Sequence, residues 1–484
     1  VKQENTLVID IEGNPSSLDP RFASDAYSER ICGLLYNGLF RINEKGEIEP
    51  DIVESWKKLN DRTFEFNLKR GIRFHNGKEL TSDDVIYTYN SIITPSTGSP
   101  LLSSFSEISG IEKIDNYTIR IKLKSPFAPI FFTLRTGIIP YGSDEGNTIG
   151  TGPFKLKEWA RGSSIILQRF SEYFRSSPKI EHIKFKVIPN PITRVLELRK
   201  GNTDLLFNAI PHYAIDEVKE IKNIEVVNSP GVTYCYLGIN LHDVILSKQK
   251  VRQAIAYGIN REKIIRFFFK DYATKSTGVL SPLNWAYEGN VKKYEYNPEI
   301  AKKLLDEAGY LDPDGDGPEM RFFLEYKTSE ERNSVRLAEI ISEELRRIGI
   351  GIKIKSYEWG TFFSDIRNNN FQLYSLRWTG VLEPDIYYYL FHSKSVPPSG
   401  ANRGYYTNFK LDELLEKGRR TYSKEERKEI YSRIQKILAD DLPYINLWYL
   451  DDVVIKSRQL GGFKIYPGGE LYSLENAYFK PDNL

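Results

Sequence analysis

Along residues 181–208 the hydrophobic period changes twice. EHIKFKVIPN, from Glu181, alternates apolar and polar positions as a strand with one buried face does. PITRVLELRKG then spaces its apolar residues by three and four, with Pro191 in the first turn and Gly201 just past the end, and predicts a helix. TDLLFN returns to a short strand. The same succession recurs far along the chain: MRFFLEYKTS reads as a strand, SEERNSVRLAEIISEELRRIG as a long amphipathic helix ending at Gly349, and IGIKIKSYEW as another strand. Each strand–helix–strand unit needs its helix against a mainly parallel sheet, so two separated units predict an α/β protein with two lobes. Ligands of such sheets bind beyond the strand ends, and a cleft between lobes is the expected site.

Between the units lies VTYCYLGIN, an apolar and aromatic strand, and then HDVILSKQKVRQAIAYGINREKII, with helix periodicity through Val251, Ile255 and Ile259. A crossover between lobes is placed near Gly238 to Leu241, and YLDDVVIKS near the C-terminus is a suitable second crossing strand. From about Gly46 to Gly146 the pattern differs: the strand TFEFNLKRGIRF, a capping-box helix start at Thr81 and Asp84, and the strand pair IEKIDNYTIRIKL turning at Asp115 and Asn116 read as an α+β insertion in the first lobe.

The length of 484 residues also calls for two or three domains. Lysine plus arginine (67) nearly cancels aspartate plus glutamate (65), so no nucleic-acid partner is expected. Aromatic residues make up 13%, with 31 tyrosines, more ring surface with a polar end than a core alone requires, which suits a wet binding surface. The single methionine and the abundance of Lys, Glu, Ile and Tyr follow the compositional trend of thermophiles. Two cysteines, Cys32 and Cys235, are too few for a disulfide framework, and a single bridge between them is left open. No apolar run reaches the length of a membrane span, and the chain opens on TLVIDI with no leader pattern, which fits either a cytosolic protein or one whose leader has been removed.

Several ordered segments carry a resemblance: LLYNGLFRIN, the block ESWKKLNDRTFEFNLKRGIRFHNGKELTSDDVIYTYN from Glu54, GTGPFKLKEW from Gly150, KVRQAIAYGINREKII, EIAKKLLDEAGY and DDLPYINLWY. In this order and spacing the whole chain resembles the large extracytoplasmic solute-binding proteins, family 5, of peptide, nickel and related ABC importers. The resemblance implies a two-lobed periplasmic-binding-protein fold of the large cluster C type, an extra α+β subdomain in the first lobe, and closure on a ligand about a double hinge. It maps the first lobe to 1–45, 150–238 and 455–484, the inserted subdomain to 46–149 and the second lobe to 239–454. It further implies a monomer outside the cytoplasm, in some members lipid-anchored, that hands a peptide or other small organic solute to a transmembrane permease. In GTGP the glycines are read as permitting backbone conformations closed to other residues, and His75 and Gly77 as a turn.

For binding, aromatic faces and arginine forks are the expected groups. The candidates are Tyr357, Trp359, Trp378, Asn402 and Arg403 in the second lobe and Phe22, Tyr27 and Tyr234 in the first, each weighed about evenly against a place in the core or rim, except that an arginine beside two glycine-flanked tyrosines, as Arg403 is, is seldom core. In peptide-binding relatives an aspartate after the tryptophan equivalent to Trp378 pairs with the peptide's amino group, whereas here Val381 and Leu382 follow. An apolar residue leaves a buried ammonium unpaired, which puts recognition of a free peptide N-terminus in doubt. Glu383 is the substitute candidate, but Glu383 and Asp385 around Pro384 suit a helix start, and that is the preferred reading.

DPDGDGPE places Asp312, Asp314 and Asp316 as in a calcium loop, but Phe323 occupies the twelfth position, so a Pro/Gly/Asp turn is the preferred reading. The five histidines show no metal-ligand spacing, and no nucleophile elbow, P-loop or dinucleotide fingerprint is present. No cofactor, metal or catalytic residue is therefore expected. Three alternatives to the peptide receptor are a receptor of the same fold for a nickel chelate, heme or sugar, a cleft hydrolase on glycans or peptides, and a sensor domain.

Overall fold

A computed structural model describes residues 5–144, 146–315 and 317–481. The chain divides into two compact units, 1–229 with 452–484, and 230–451. It leaves the first unit inside the strand Ile224–Ile239 and returns inside the strand Tyr444–Ser457.

In the first unit Thr6–Ile11 pairs in parallel with His182–Val187 on one side and Leu205–Phe207 on the other. Ser164–Arg169 and Phe154–Ala160 extend the sheet antiparallel beyond His182–Val187. The connecting helix Pro191–Arg199 starts where Pro191 needs no hydrogen bond and where the Asn190 side chain accepts from the Ile192 and Thr193 N–H groups at 2.9 and 3.2 Å. The insertion is a four-stranded antiparallel sheet, in the order Val53–Asn60, Thr63–Leu68, Thr118–Leu123, Ile108–Asp115, with the helix Ser82–Ile93 against it. Asp84 accepts from the Thr81 N–H at 2.8 Å, as the capping box requires.

The GTGP glycines have a different physical reason from the expected one. Neither Gly150 nor Gly152 has a positive φ. They lie against the end of the helix Ala26–Leu35, where a Cβ on Gly150 would meet the Leu35 carbonyl oxygen at 2.0 Å and one on Gly152 the Leu34 oxygen at 2.4 Å. The Gly152 N–H is thereby free to reach the Leu35 carbonyl at 2.9 Å, which satisfies an acceptor at the helix terminus. His75 fastens the same loop: its Nδ1 accepts from the Gly150 N–H at 3.2 Å, and its Nε2–H donates to the Gly152 carbonyl at 3.1 Å.

In the second unit Phe322–Ser329 pairs in parallel with Ile350–Tyr357 and with Leu373–Trp378, and Leu373–Trp378 pairs antiparallel with Ile224–Ile239. The helix Arg332–Arg346 returns the chain between the first two, with Ala338, Ile341 and Leu345 fully buried. The periodicity through Ile259 divides into two helices, Gln249–Gly258 and Arg261–Phe268. Ile259 is extended, and the Asn260 side chain accepts from the Lys263 N–H at 3.0 Å, starting a new helix inside what reads as one apolar stripe.

The strand Ile224–Ile239 separates two cores. Cys235, Leu237 and Ile239 pack with the helices Gln249–Gly258 and Arg332–Arg346, while Tyr234 and Tyr236 face an aromatic cluster with Tyr374 and Tyr444. Gly238 lies on the aromatic face opposite Tyr374, where a Cβ would come within 2.2 Å of the Tyr374 ring. Gly238→Ala should therefore destabilise the protein by about 2 kcal/mol or more, as overpacking does. Gly110→Ala, in a strand where a Cβ meets nothing within 4 Å, should cost much less. Urea unfolding of the two variants checks the contrast.

Burial pushes the His75 imidazole down to about 4, with its neutral form held by both loop contacts. The unfolded chain therefore takes up this proton first as the pH falls. The contribution of His75 is intact above pH 6.5 and is lost between 6.5 and about 4. Stability measured over that range should fall more steeply in the natural protein than in His75→Gln, which has nothing to protonate.

Candidate ligand-binding site

The parallel strands of the second unit end at Ser329, Tyr357 and Trp378 on one edge of their sheet, the edge at which α/β sheets take ligands. Glu358 follows at once, and its carboxylate accepts from the Gly360 and Thr361 N–H groups at 2.7 and 3.3 Å. This cap starts the helix Trp359–Arg367 on the same edge. One turn apart on that helix, Trp359 and Phe363 stack with centroids 5.7 Å apart and planes 11° from parallel. Trp359 is 55% exposed although stacked.

Arg403 completes the group. Its guanidinium carbon lies 5.2 Å from the ring centroids of both Phe363 and Trp378, and Nη1 donates to the Tyr236 hydroxyl at 3.2 Å. Trp378 in turn meets Tyr389 edge-on at 6.1 Å. Under the guanidinium, Tyr236 stacks on Tyr444 at 4.2 Å and on Tyr234 at 5.6 Å, with Tyr374 edge-on at 5.9 Å. Burial raises the Tyr234, Tyr236 and Tyr444 phenols well above their ordinary value, so they stay neutral. Among the described residues no carboxylate forms an ion pair with Arg403.

Trp359, Trp378 and Arg403 are thus brought together. Tyr357 ends the neighbouring strand with Lys327 Nζ 5.5 Å from its ring, and Lys327 is neutralised by Asp365 at 2.8 Å. Asn402 is buried and shapes the loop that presents Arg403: its amide donates to the Tyr406 and His392 carbonyls and accepts from the Tyr406 N–H at 2.9 Å. Tyr234 belongs to the second unit and lies in its core, with its hydroxyl donating to Asn446 Oδ1. Phe22 and Tyr27 lie in the first unit. Phe22 has the Arg21 guanidinium carbon 5.6 Å from its ring, and the Tyr27 hydroxyl donates to Glu12, which also holds Arg194 at 2.8 Å. Burial and Glu12 raise Tyr27 to about 12.

Sequence reading did not single out Phe363, Tyr389, Tyr236 or Tyr444. Two of them carried a signal: Phe363 is four residues past Trp359 on one helix, and Tyr236 two past Tyr234 on one strand.

The segment after Trp378 turns inward. Val381 and Leu382 are buried, and the Asn284 amide donates to the Leu382 carbonyl at 2.7 Å. Glu383 pairs with Arg427 from the helix Lys424–Asp441, and Asp385 with Arg419 from the helix Phe409–Arg420 at 3.0 Å. The helix Ile386–Phe391 follows, its first turn bonded to the Glu383, Pro384 and Asp385 carbonyls. Burial, opposed by Arg419, raises the Asp385 carboxyl to about 7.

Asp312 accepts from the Asp314 and Gly315 N–H groups and Asp314 from the Glu319 N–H, so both carboxylates close a turn; Asp316 lies outside the described residues. Among the described residues no cluster of three or more His, Cys, Asp or Glu could hold a metal. Cys32 and Cys235 are both free and buried in separate clusters. No helix among the described residues is long and apolar enough to cross a membrane.

Comparison with known proteins agrees with this frame. A profile of the bacterial extracellular solute-binding proteins, family 5 (middle region), matches residues 47–398. The oligopeptide-binding protein AppA of Bacillus subtilis is 29% identical, with 98% of this chain and 91% of that protein covered. The dipeptide-binding protein of Escherichia coli is 27% identical, with coverage of 97% and 94%. The solved structure of Bacillus subtilis AppA in complex with a nonapeptide superimposes with a TM-score of 0.83 at 28% identity, covering 98% of this chain and 99% of that one.

The Glu383–Arg427 pair has side chains only 16% and 8% exposed. Glu383→Ala should leave the Arg427 charge buried and unpaired and lower stability by about 3 kcal/mol. Chemical unfolding of Glu383→Ala beside the natural protein measures the loss.

Proposed function

The chain belongs to the bacterial extracellular solute-binding proteins of family 5, and from that premise we propose that it is the peptide-capturing receptor of an ABC importer, which binds its solute outside the cytoplasm and passes it unchanged to a membrane permease. The observation that carries the peptide reading is the wall formed by Trp359, Phe363, Trp378 and Arg403 at the strand ends. Exposed rings bury the apolar parts of a varied ligand without demanding one shape, and a fixed guanidinium holds one polar group in place. Its relatives carry names of oligopeptide and dipeptide binders over nearly the whole chain. The wall offers binding groups and no nucleophile paired with a base, so we read its task as capture without chemistry.

A casein digest is a suitable mixed probe. The melting temperature should rise with the logarithm of digest concentration. Trp378→Ala should shift that dependence to at least tenfold higher concentration. Mass spectrometry of the released fraction should return intact peptides; products shorter than the peptides supplied would make the protein a hydrolase instead.

A further inference from the structure

We infer that the group held by Arg403 is a carboxylate of the solute, so that the wall in the second unit receives the acidic end of its ligand and not an ammonium. The inference rests on the peptide-receptor reading and assigns a polarity to it.

The first ground is a charge without a counter-charge. Arg403 is 7% exposed, and a guanidinium stays protonated in proteins. Its neighbours are the Phe363 and Trp378 rings and the Tyr236 and Tyr374 hydroxyls, of which Tyr236 takes an Nη1 donor. No Arg403 nitrogen is both buried and without a partner among the described residues, so the donors that Tyr236 leaves unused are open to a guest. The fork of donors on a guanidinium matches a planar carboxylate with two parallel hydrogen bonds.

The second ground is that four acids of this unit's wall and the turn beside it are already engaged. Glu383 is bound by Arg427, Asp385 by Arg419 and Asp365 by Lys327, and Glu358 caps the helix that carries Trp359 and Phe363. The two residues that follow the Trp378-Thr379-Gly380 turn, Val381 and Leu382, are apolar and buried. An ammonium at this wall would find rings and a like charge; a carboxylate would find a guanidinium that no carboxylate among the described residues pairs. The protein holds Arg403 in place before the ligand arrives, so little ordering cost remains at binding.

The test uses a casein digest in three forms: untreated, carboxyl-methyl-esterified and N-acetylated. Binding is read as the digest concentration giving half the maximal melting-temperature shift, and by mass spectrometry of retained peptides. The untreated and acetylated digests should agree within about threefold, and the esterified digest should need at least tenfold more. In Arg403→Gln the three digests should become equivalent, and Arg403→Lys should restore part of the preference for free acids. Binding of the esterified digest as tight as that of the untreated one, or loss of binding on acetylation alone, would overturn the carboxylate assignment and leave the peptide reading standing. Retention from none of the three would instead refute the peptide reading. The assignment is then decided by mixed mono- and dicarboxylic acids against their methyl esters: stabilisation by the acids alone upholds it, and by neither overturns it.

Discussion

Tyr236 packs face to face with Tyr444 at 4.2 Å and with Tyr234 at 5.6 Å, and the site in the second unit rests on this stack. The stack requires a sheet packed tightly on that face. Gly238 provides the space, because only a residue without Cβ lets the Tyr374 ring lie over the neighbouring strand and close the cluster edge-on. Burial keeps these phenols neutral, so they support Arg403 by packing and by one hydrogen bond without cancelling its charge. A cation is thus held rigidly among rings on a floor that does not neutralise it.

Three other cations of the same unit are treated in the opposite way. Arg419 and Arg427, from two helices, each take a carboxylate from the segment after Trp378, and Lys327 is bound by Asp365. These pairs add little net stability over an apolar alternative, but each half is costly to leave alone. They tie the turn at 379–385 to the helices that follow it, and thereby fix Trp378 at its strand end. The difference between these satisfied pairs and Arg403 is what gives the wall an electrostatic direction.

Much of this was legible in the chain. Alternation placed the strands around both crossover helices, Asn190 with Pro191 and Thr81 with Asp84 marked helix starts by local chemistry, and Trp359, Trp378 and Arg403 stood out as rings and a guanidinium in polar surroundings. The misreadings share a cause. Ile259 continues an apolar period even though the chain breaks there, because burial on one face is common to one helix and to two packed in succession. The GTGP glycines read as backbone freedom, yet they serve close approach to carbonyls that lie more than a hundred residues away.

The sequence by itself determined the elements, the α/β class and the residue types available for recognition, because periodicity, capping and ring chemistry are properties of neighbouring residues. The tertiary structure alone decided that Glu383 is engaged and that Arg403 has no carboxylate partner among the described residues. Glu383 and Arg403 look equally available in the linear chain. Their fates differ because Arg427 arrives from a helix 44 residues downstream to bind the first, while the fold surrounds the second with Tyr236, Phe363 and Trp378. Ion pairing depends on distances between segments remote in sequence, and those distances exist only once the sheet has closed.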